Sequence, residues 1–532
     1  MSRLFEKPFF VLSLLAILTL FPSIFMLPVT DRDEARFVQA SKQMMETGNY
    51  TKIMNQDTPR LKKPYGIYWM QCAAVKLTGA DLNQAWGYRL PSAFAALFAI
   101  LFFAYFCKRL FGPRVSLLAS LILLSSVLLQ VESTLGKTDT VLFFFSTVAL
   151  GSLLLRFYDE NSSPGWIYAF WIALGMTIFI KGPVIPTFFL LGGIAYWVFK
   201  KKVDKPSFAS LKKLSIPLGL LIIVLMNAPW IYLLQTSSQG QFLQDSVGQD
   251  LLQKLFRGME SHGAHPGFYT MTVFVSFLPG SLFLIPAIIK KWKSPKDPLA
   301  VFLISFIVPG WILLELVPTK LPHYIFPFFP VLAIFVAQYL SRWKTPQRAV
   351  QALGILRIAV LVLTPFVICT LGYFFGAPIT WTLFCFIGVF ISICIFLLWQ
   401  FSPRKHPLEG LLLTTMAVLV AIKYTLAVHV PDFWITQKIH QTLEKTHNLD
   451  SQLIAVGYPE LSLAFYLGTD VRFSDTASAL QLAENSKKKS SLLIEHSQLK
   501  EPIPETFTPL STFRGFHYSK GRWRTFTLYE TR

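Results

Sequence analysis

Two polar clusters interrupt an otherwise apolar N-terminal stretch: Thr30-Asp31-Arg32-Asp33-Glu34-Ala35-Arg36-Phe37, then Pro59-Arg60-Leu61-Lys62-Lys63-Pro64-Tyr65. A carboxylate in the first turn of a helix is kept ionised by the helix dipole and a neighbouring guanidinium, so Asp33 beside Arg36 can accept a proton or hold a cation. Adjacent lysines closed by a proline, with Tyr65, Tyr68 and Trp69 following, suit a lipid phosphate at headgroup depth. Each cluster also has a plainer reading: Asp33 as a solvated dipole partner, and the lysines as snorkelling side chains with no ligand. Asp31, three residues before Glu34, resembles the start of a capping box and reads as a helix cap rather than a catalyst. Asp31-Arg32-Asp33 also spells the D-x-D of soluble nucleotide-sugar enzymes. It follows a membrane span, on the side where nucleotide sugars are normally absent, so that mechanism is rejected.

Further polar groups recur at short breaks in the apolar sequence: Lys137 with Asp139, Lys181-Gly182-Pro183, Glu260-Ser261-His262-Gly263 with His265, and Lys320-Leu321-Pro322-His323-Tyr324. Singly, each is a basic turn or a hydrogen-bonding histidine. Their shared side of the membrane is the informative feature. Asp139, Glu315 and Lys423 sit near the ends of apolar runs, whereas an ion or proton path places such groups nearer the midplane.

The composition says what scaffold must gather these residues. Of 532 residues 53% are hydrophobic and only 15% charged, against about 25% charged for an ordinary soluble domain; the mean hydropathy is +0.49. Disorder is excluded by the apolar content. A disulfide scaffold is excluded because four of the five cysteines (Cys107, Cys369, Cys385, Cys394) lie in or beside apolar runs. A helix needs about 20 apolar residues to cross a bilayer, and such runs lie near 9–28, 86–106, 115–131, 140–156, 166–180, 184–199, 214–234, 269–289, 299–317, 323–340, 354–375, 381–400 and 409–428. The first reads as an anchor, since no small-x-small cleavage site follows it.

The excess of 49 Lys plus Arg over 29 Asp plus Glu could signal nucleic acid. The basic residues collect instead in alternate connections, as the positive-inside rule predicts, so no nucleic-acid partner is expected. With a cytoplasmic N-terminus, the loop 29–85, the segment 235–268 and everything after about 430 face the far side. The expected organisation is a membrane unit over 1–429 with about thirteen spans, and a soluble α/β domain over 430–532. β-like runs at 452–457, 491–495 and 524–529 flank a polar stretch at 475–489 in that domain. The amphipathic segment 33–46, with Phe37, Ala40 and Met44 at helical spacing, is expected to lie on the membrane surface.

In this order the motifs resemble the bacterial aminoarabinose transferase and protein O-mannosyltransferase superfamily, integral membrane glycosyltransferases of the GT-C fold. The residues that carry the likeness are Asp33-Glu34-x-Arg36-Phe37, Lys63-Pro64 before Tyr68-Trp69, Lys137-Thr138-Asp139, Lys181-Gly182-Pro183, Glu260-Ser261-His262-Gly263 and Lys320-Leu321-Pro322-His323-Tyr324. The resemblance implies a mainly α, polytopic inner-membrane enzyme with a small periplasmic α/β domain. It implies a polyprenyl-phosphate-linked sugar donor, transfer with inversion, and a glycolipid (lipid A, lipopolysaccharide) or protein hydroxyl as acceptor. Carried over residue by residue, Asp33, Asp139 and Glu34 are the catalytic candidates, and Arg36, Lys63, Lys320 and Tyr324 the donor-phosphate ligands. Relatives can hold a divalent metal ion nearby; His262 and Glu260 are the candidate ligands, and Lys62 stands where the aminoarabinose enzymes have a ligand Glu. No other cofactor is implied. A lipid-linked sugar flippase is the competing reading, and it calls for charges along a path through the bilayer rather than at one rim.

Overall fold

The computed structural model describes residues 7–200, 212–245, 264–292, 297–342, 347–377, 407–449, 451–486, 489–499 and 502–531. Proline at the first helical position, where its missing N–H leaves nothing unpaired, opens helix α1 (Pro8–Met26). Helices α2 (Asp33–Thr47) and α3 (Gly66–Thr78) follow, separated by a two-stranded hairpin, β1 (Met54–Asn55) and β2 (Thr58–Pro59). The membrane unit continues with α4 (Ala85–Phe111), α5 (Pro113–Leu124), the short α6 (Val127–Glu132), α7 (Thr138–Tyr158), α8 (Trp166–Lys181), α9 (Val184–Lys200) and α10 (Ile216–Ser237).

Among the described residues seven helices are long and apolar enough to cross a membrane, α1, α4, α7 and α10 among them. The run at 269–289 is a helix pair bent by 115°, and four further runs hold shorter apolar helices. The predicted span 381–400 lies outside the described residues. The chain is therefore a multi-pass membrane protein, and α4 packs between α1, α5 and α7 at its centre.

Aromatic packing fixes the rim of this bundle. Phe143, one turn beyond Asp139 on α7, stacks on Phe326 at a ring separation of 4.0 Å. Phe326 belongs to the 3-10 turn Pro322–Phe328, which carries His323 and Tyr324. Stacked rings of this kind add to the burial of two large side chains, so the turn and the start of α7 are locked together.

Helix α2 departs from the surface position expected of it. Phe37, Ala40 and Met44 are buried as their spacing predicts, but Gln39, Ser41 and Lys42 are buried too. The C-terminal domain covers part of the polar face: Lys42 Nζ donates to the Phe465 carbonyl at 2.6 Å and Gln39 Nε2 to Thr469 Oγ1 at 2.9 Å, while Asn83 Oδ1, from the loop before α4, takes a second Lys42 bond at 2.6 Å. An amphipathic helix with partners for both faces is an internal strut, and this one carries Asp33 at its first position.

The C-terminal domain is a five-stranded sheet in the order β4-β3-β5-β7-β6, where β3 is Gln452–Val456, β4 Arg472–Ser474, β5 Ser490–Glu495, β6 Phe507–His517 and β7 Arg522–Thr531. β3 is parallel to β4 and β5, whereas β7 runs antiparallel to β5 and β6. The three expected strands correspond to β3, β5 and β7. The polar stretch after 475 is in fact a helix, Thr476–Glu484, started by Asp475, whose carboxylate accepts the Ser478 N–H at 3.1 Å, as N-cap preference explains.

Candidate active site

Where α2, the β1–β2 hairpin, α7, α8 and the 3-10 turn meet, they enclose a cleft of about 310 Å³. Asp33, Arg36, Lys62, Lys63, Asp139, Lys181, His323 and Tyr324 line it together with Arg60 and Phe37. Of the sequence-derived candidates, the cleft thus brings together Asp33, Arg36, Lys63, Asp139 and Tyr324.

Asp33 is half exposed and lies 3.8 Å from the Arg36 guanidinium one turn along α2. Arg60 from the hairpin sits 4.9 Å above the Phe37 ring, and its Nε donates to Tyr68 Oη at 2.9 Å. This cation is therefore anchored by an aromatic face and a hydroxyl. On the opposite wall Asp139 is buried. Its Oδ1 accepts from Lys181 Nζ at 2.5 Å, its Oδ2 lies 3.5 Å from Lys137 Nζ, and His323 Nε2 is 3.5 Å away. Lys181 ends α8, and the following Gly182 has φ +86°, a backbone that glycine adopts without strain. Its ammonium also lies 5.1 Å from the centre of the Tyr324 ring.

Glu132, absent from the sequence-derived candidates, backs this wall through Lys137 and His323 without lining the cleft. Its carboxylate is 2.9 Å from Lys137 Nζ and 3.7 Å from His323 Nδ1. Burial pushes the Glu132 carboxyl up to about 7; the Lys137 ammonium opposes that rise and the Asp139 charge adds to it. A carboxylate at the end of an apolar run, five residues before a lysine, was the available signal. Lys137, Lys181 and His323 stood within recognised motifs but had not been given a role.

Two candidates are turned to other work, and two more lie outside the described residues. Glu34 is fully buried in an ion pair with Arg89 at 2.7 Å, and its carboxylate also accepts the Gly136 and Thr30 N–H groups, each at 2.8 Å. Burial alone would raise its pKa, but the Arg89 charge and these hydrogen bonds outweigh it and hold Glu34 below the ordinary carboxylate range. It is a structural anion, corrected from the catalytic set. Arg89, inside an apolar run, had been overlooked. Lys320 is likewise corrected: its ammonium donates to the carbonyls of Leu314, Glu315 and Val317 at 3.2, 2.7 and 2.6 Å. Those carbonyls lie at the C-terminal end of the span Pro298–Leu316, where a cation is favoured by the helix dipole. His262 and Glu260 lie outside the described residues.

Asp31 does not cap α2. Thr30 donates both its N–H and its hydroxyl to Glu34 Oε2, at 2.8 and 3.0 Å, while the Asp31 carboxylate accepts from Tyr458 Oη at 2.8 Å and Ser462 Oγ at 2.5 Å, both in the C-terminal domain. Burial, then the nearby Glu460 charge, push the Asp31 carboxyl from the ordinary 3.8 up to about 7, against the opposing hydrogen bonds of Ser462, Tyr458 and Tyr518. A raised folded-state pKa means the folded protein holds a proton that the unfolded chain has lost. The associated stabilisation is complete below about pH 4 and disappears as pH rises through about 7. The melting temperature should fall between about pH 4 and 7, and Asp31→Asn should flatten that dependence; an equally steep profile in the variant would refute this.

Among the described residues two groups could place three metal donors together: Glu132, Asp139 and His323 beside the cleft, and Asp31, Glu460 and His517 at the domain contact. In the first the Lys137 and Lys181 ammonium groups already neutralise the carboxylates. In the second the donors are engaged by hydroxyl, imidazole and backbone donors. Neither donor set fits a divalent cation well.

Comparison with known proteins bears on this arrangement. The family described as dolichyl-phosphate-mannose-protein mannosyltransferase matches residues 62–232. An undecaprenyl phosphate-alpha-4-amino-4-deoxy-L-arabinose arabinosyl transferase 1 of Pseudomonas fluorescens is 25% identical over 315 residues, 58% of this chain and 55% of the relative. A transferase of the same description from Yersinia pestis is 24% identical over 364 residues, 66% of this chain and 64% of the relative. The chain thus spans between about half and two thirds of the length of these curated relatives. The crystal structure of ArnT from Cupriavidus metallidurans bound to undecaprenyl phosphate superposes with a TM-score of 0.77 at 18% identity, covering 97% of both chains. Archaeal oligosaccharyltransferase AglB from Archaeoglobus fulgidus, in complex with an inhibitory peptide and a dolichol-phosphate, gives 0.53 at 12% identity over 93% of this chain and 69% of its own.

Proposed function

We propose that this chain, a GT-C superfamily member by its fold, transfers a sugar from a polyprenyl phosphate to an acceptor at the periplasmic face of a bacterial inner membrane. The observation that carries the reading is the gathering of Arg36, Lys62, Lys63 and Lys181 with Asp33 and Asp139 in one cleft. In this reading residues 1–429 form the catalytic membrane unit, and 430–532 a periplasmic domain above it.

The chemistry follows from the charges. An acceptor oxygen attacks the anomeric carbon from the face opposite the phosphate; the new C–O bond forms as the bond to the phosphate oxygen breaks, and the electron pair leaves with the lipid phosphate. That phosphate departs easily only if its developing charge is stabilised by preorganised donors. Arg36, Lys63 and Tyr324 take this role, with Lys181 holding Asp139 beside them. A hydroxyl acceptor must lose its proton during attack, and Asp33 receives it. A phosphate acceptor arrives ionised, and Asp33 then orients it. The clustering of charge at one rim supports a transferase over a lipid-linked sugar flippase.

Purified protein in detergent, given a panel of polyprenyl-phosphate sugars with and without a lipid A precursor or a hydroxyl acceptor, should release polyprenyl phosphate and glycosylate the acceptor. Release from none of the donors would overturn the reading. Lys63→Ala should weaken donor binding roughly 10- to 100-fold, as loss of a hydrogen bond to a charged group of about 1.5–3 kcal/mol implies. Unchanged binding of the lipid donor would remove Lys63 from the phosphate site.

A further inference from the structure

The turn leading into α2 is held from outside its own segment. Arg32, immediately before Asp33, has φ 62° and ψ −105°, a conformation that a residue with a Cβ keeps only when its surroundings impose it. Three backbone donors of this turn are answered by side chains of the C-terminal domain. Val29 N–H donates to Tyr466 Oη at 2.9 Å, Asp31 N–H to Tyr518 Oη, and Arg32 N–H to Glu460 Oε2 at 3.3 Å.

The clamp is itself braced. Glu460 Oε1 pairs with His517 Nε2 at 3.1 Å and accepts from Ser519 Oγ at 2.9 Å, which leaves Oε2 directed at Arg32. His517 is fully buried and packs edge-on against Tyr458, the same tyrosine that donates to the Asp31 carboxylate. A contact serving only to glue two domains together needs no more than apolar packing. Here the polar contacts fall on the backbone N–H groups of the residues just before Asp33, where they select a backbone geometry.

We infer that Glu460 and Tyr518 are positioning residues for the transfer reaction: they hold the Asp31–Arg32 turn in its left-handed geometry and thereby aim Asp33 into the cleft. The inference rests on the reading that Asp33 acts on the acceptor. It makes the C-terminal domain part of the catalytic apparatus although none of its side chains lines the cleft among the described residues.

The test compares full-length wild type with Glu460→Ala, Glu460→Gln, Tyr518→Phe and the double variant Glu460→Ala/Arg32→Gly. Sugar transfer is measured with the donor that wild type uses, and amide hydrogen exchange is followed over residues 29–36. In Glu460→Ala and Tyr518→Phe, kcat should fall at least tenfold while the donor KM changes less than twofold. Exchange at 29–36 should rise at least tenfold, with α7 unaffected. Glu460→Gln keeps an acceptor for the Arg32 N–H and should retain most of the rate. Arg32→Gly should restore part of kcat to Glu460→Ala, because glycine tolerates the turn without a clamp. Unchanged exchange in both single variants overturns the inference whatever the activity, as does wild-type kcat in either or failure of the glycine rescue. A wild type that consumes no donor overturns the proposed function instead, and the exchange result alone then decides whether the clamp exists.

Discussion

Asp33→Asn should lower transfer to a hydroxyl acceptor roughly 10²- to 10⁴-fold, the usual contribution of a positioned general base, while leaving donor binding within about twofold. Asparagine keeps the shape and the helix-terminal position but cannot take the proton that the attacking hydroxyl must lose. Asp33 is half exposed at the cleft, with Arg36 3.8 Å away, so the substitution leaves no buried group unpaired and the fold should survive it. With a phosphate acceptor the loss should be much smaller, since no proton moves. Steady-state transfer to the two acceptor types by the same preparation checks both statements. Near-normal turnover on the hydroxyl acceptor would remove Asp33 from the base role.

Arg89→Met should be the most damaging substitution for the fold. Arg89 and Glu34 are fully buried, and the guanidinium also donates to the carbonyls of Ile24, Leu27 and Pro28. Removing one member of such a pair leaves an uncompensated buried charge and typically costs about 3–5 kcal/mol. The loss would be felt at the cleft, because Glu34 accepts the N–H groups of Thr30, in the turn before α2, and Gly136, just before α7. The expected result is a large fall in melting temperature or in the yield of monodisperse protein. Glu34→Gln in the same background should recover part of it, since the second change removes the stranded charge. A melting temperature within a degree or two of wild type would show that the pair does not hold these elements together.

Much of the architecture could be read from the chain because bilayer thickness imposes a length on every apolar run. The runs at 9–28, 86–106 and 140–156 became α1, α4 and α7 with only small shifts at their ends. The strands β3 and β5 announced themselves as short apolar runs bounded by polar stretches, and β7 through its dense β-branched and aromatic residues. β6 did not, since Pro509 and Gly515 interrupt it and a register shift falls between Pro509 and Ser511. The gathering of Asp33, Arg36, Lys63, Asp139 and Tyr324 was legible because all five lie at breaks between apolar runs on one side.

What stayed hidden was the division of labour among neighbouring charges. Glu34 and Asp33 are adjacent in sequence, yet a helix turns successive residues about 100° apart, so one faces the cleft and the other faces Arg89. Lys320 and Tyr324 share a motif, but the carbonyls at the end of the preceding span claim the lysine. Glu132 carried only a faint local signal, a carboxylate at the end of an apolar run, and it is the fold around α6 and α7 that sets it against Lys137 and His323.

The partners of the turn at Val29–Arg32 have a bearing on how the protein is made. Its acceptors, Glu460, Tyr466 and Tyr518, are separated from it by more than 400 positions, which at about 5–20 residues per second is roughly 20–90 s of translation. Throughout that interval the nascent cleft lacks the contacts that shape it. A ribosome halted before residue 460 would therefore leave helices already inserted in the bilayer with the turn before Asp33 unclamped, and on the proposed role of that clamp the site is completed only when residues 460–518 have folded back onto residues 29–32.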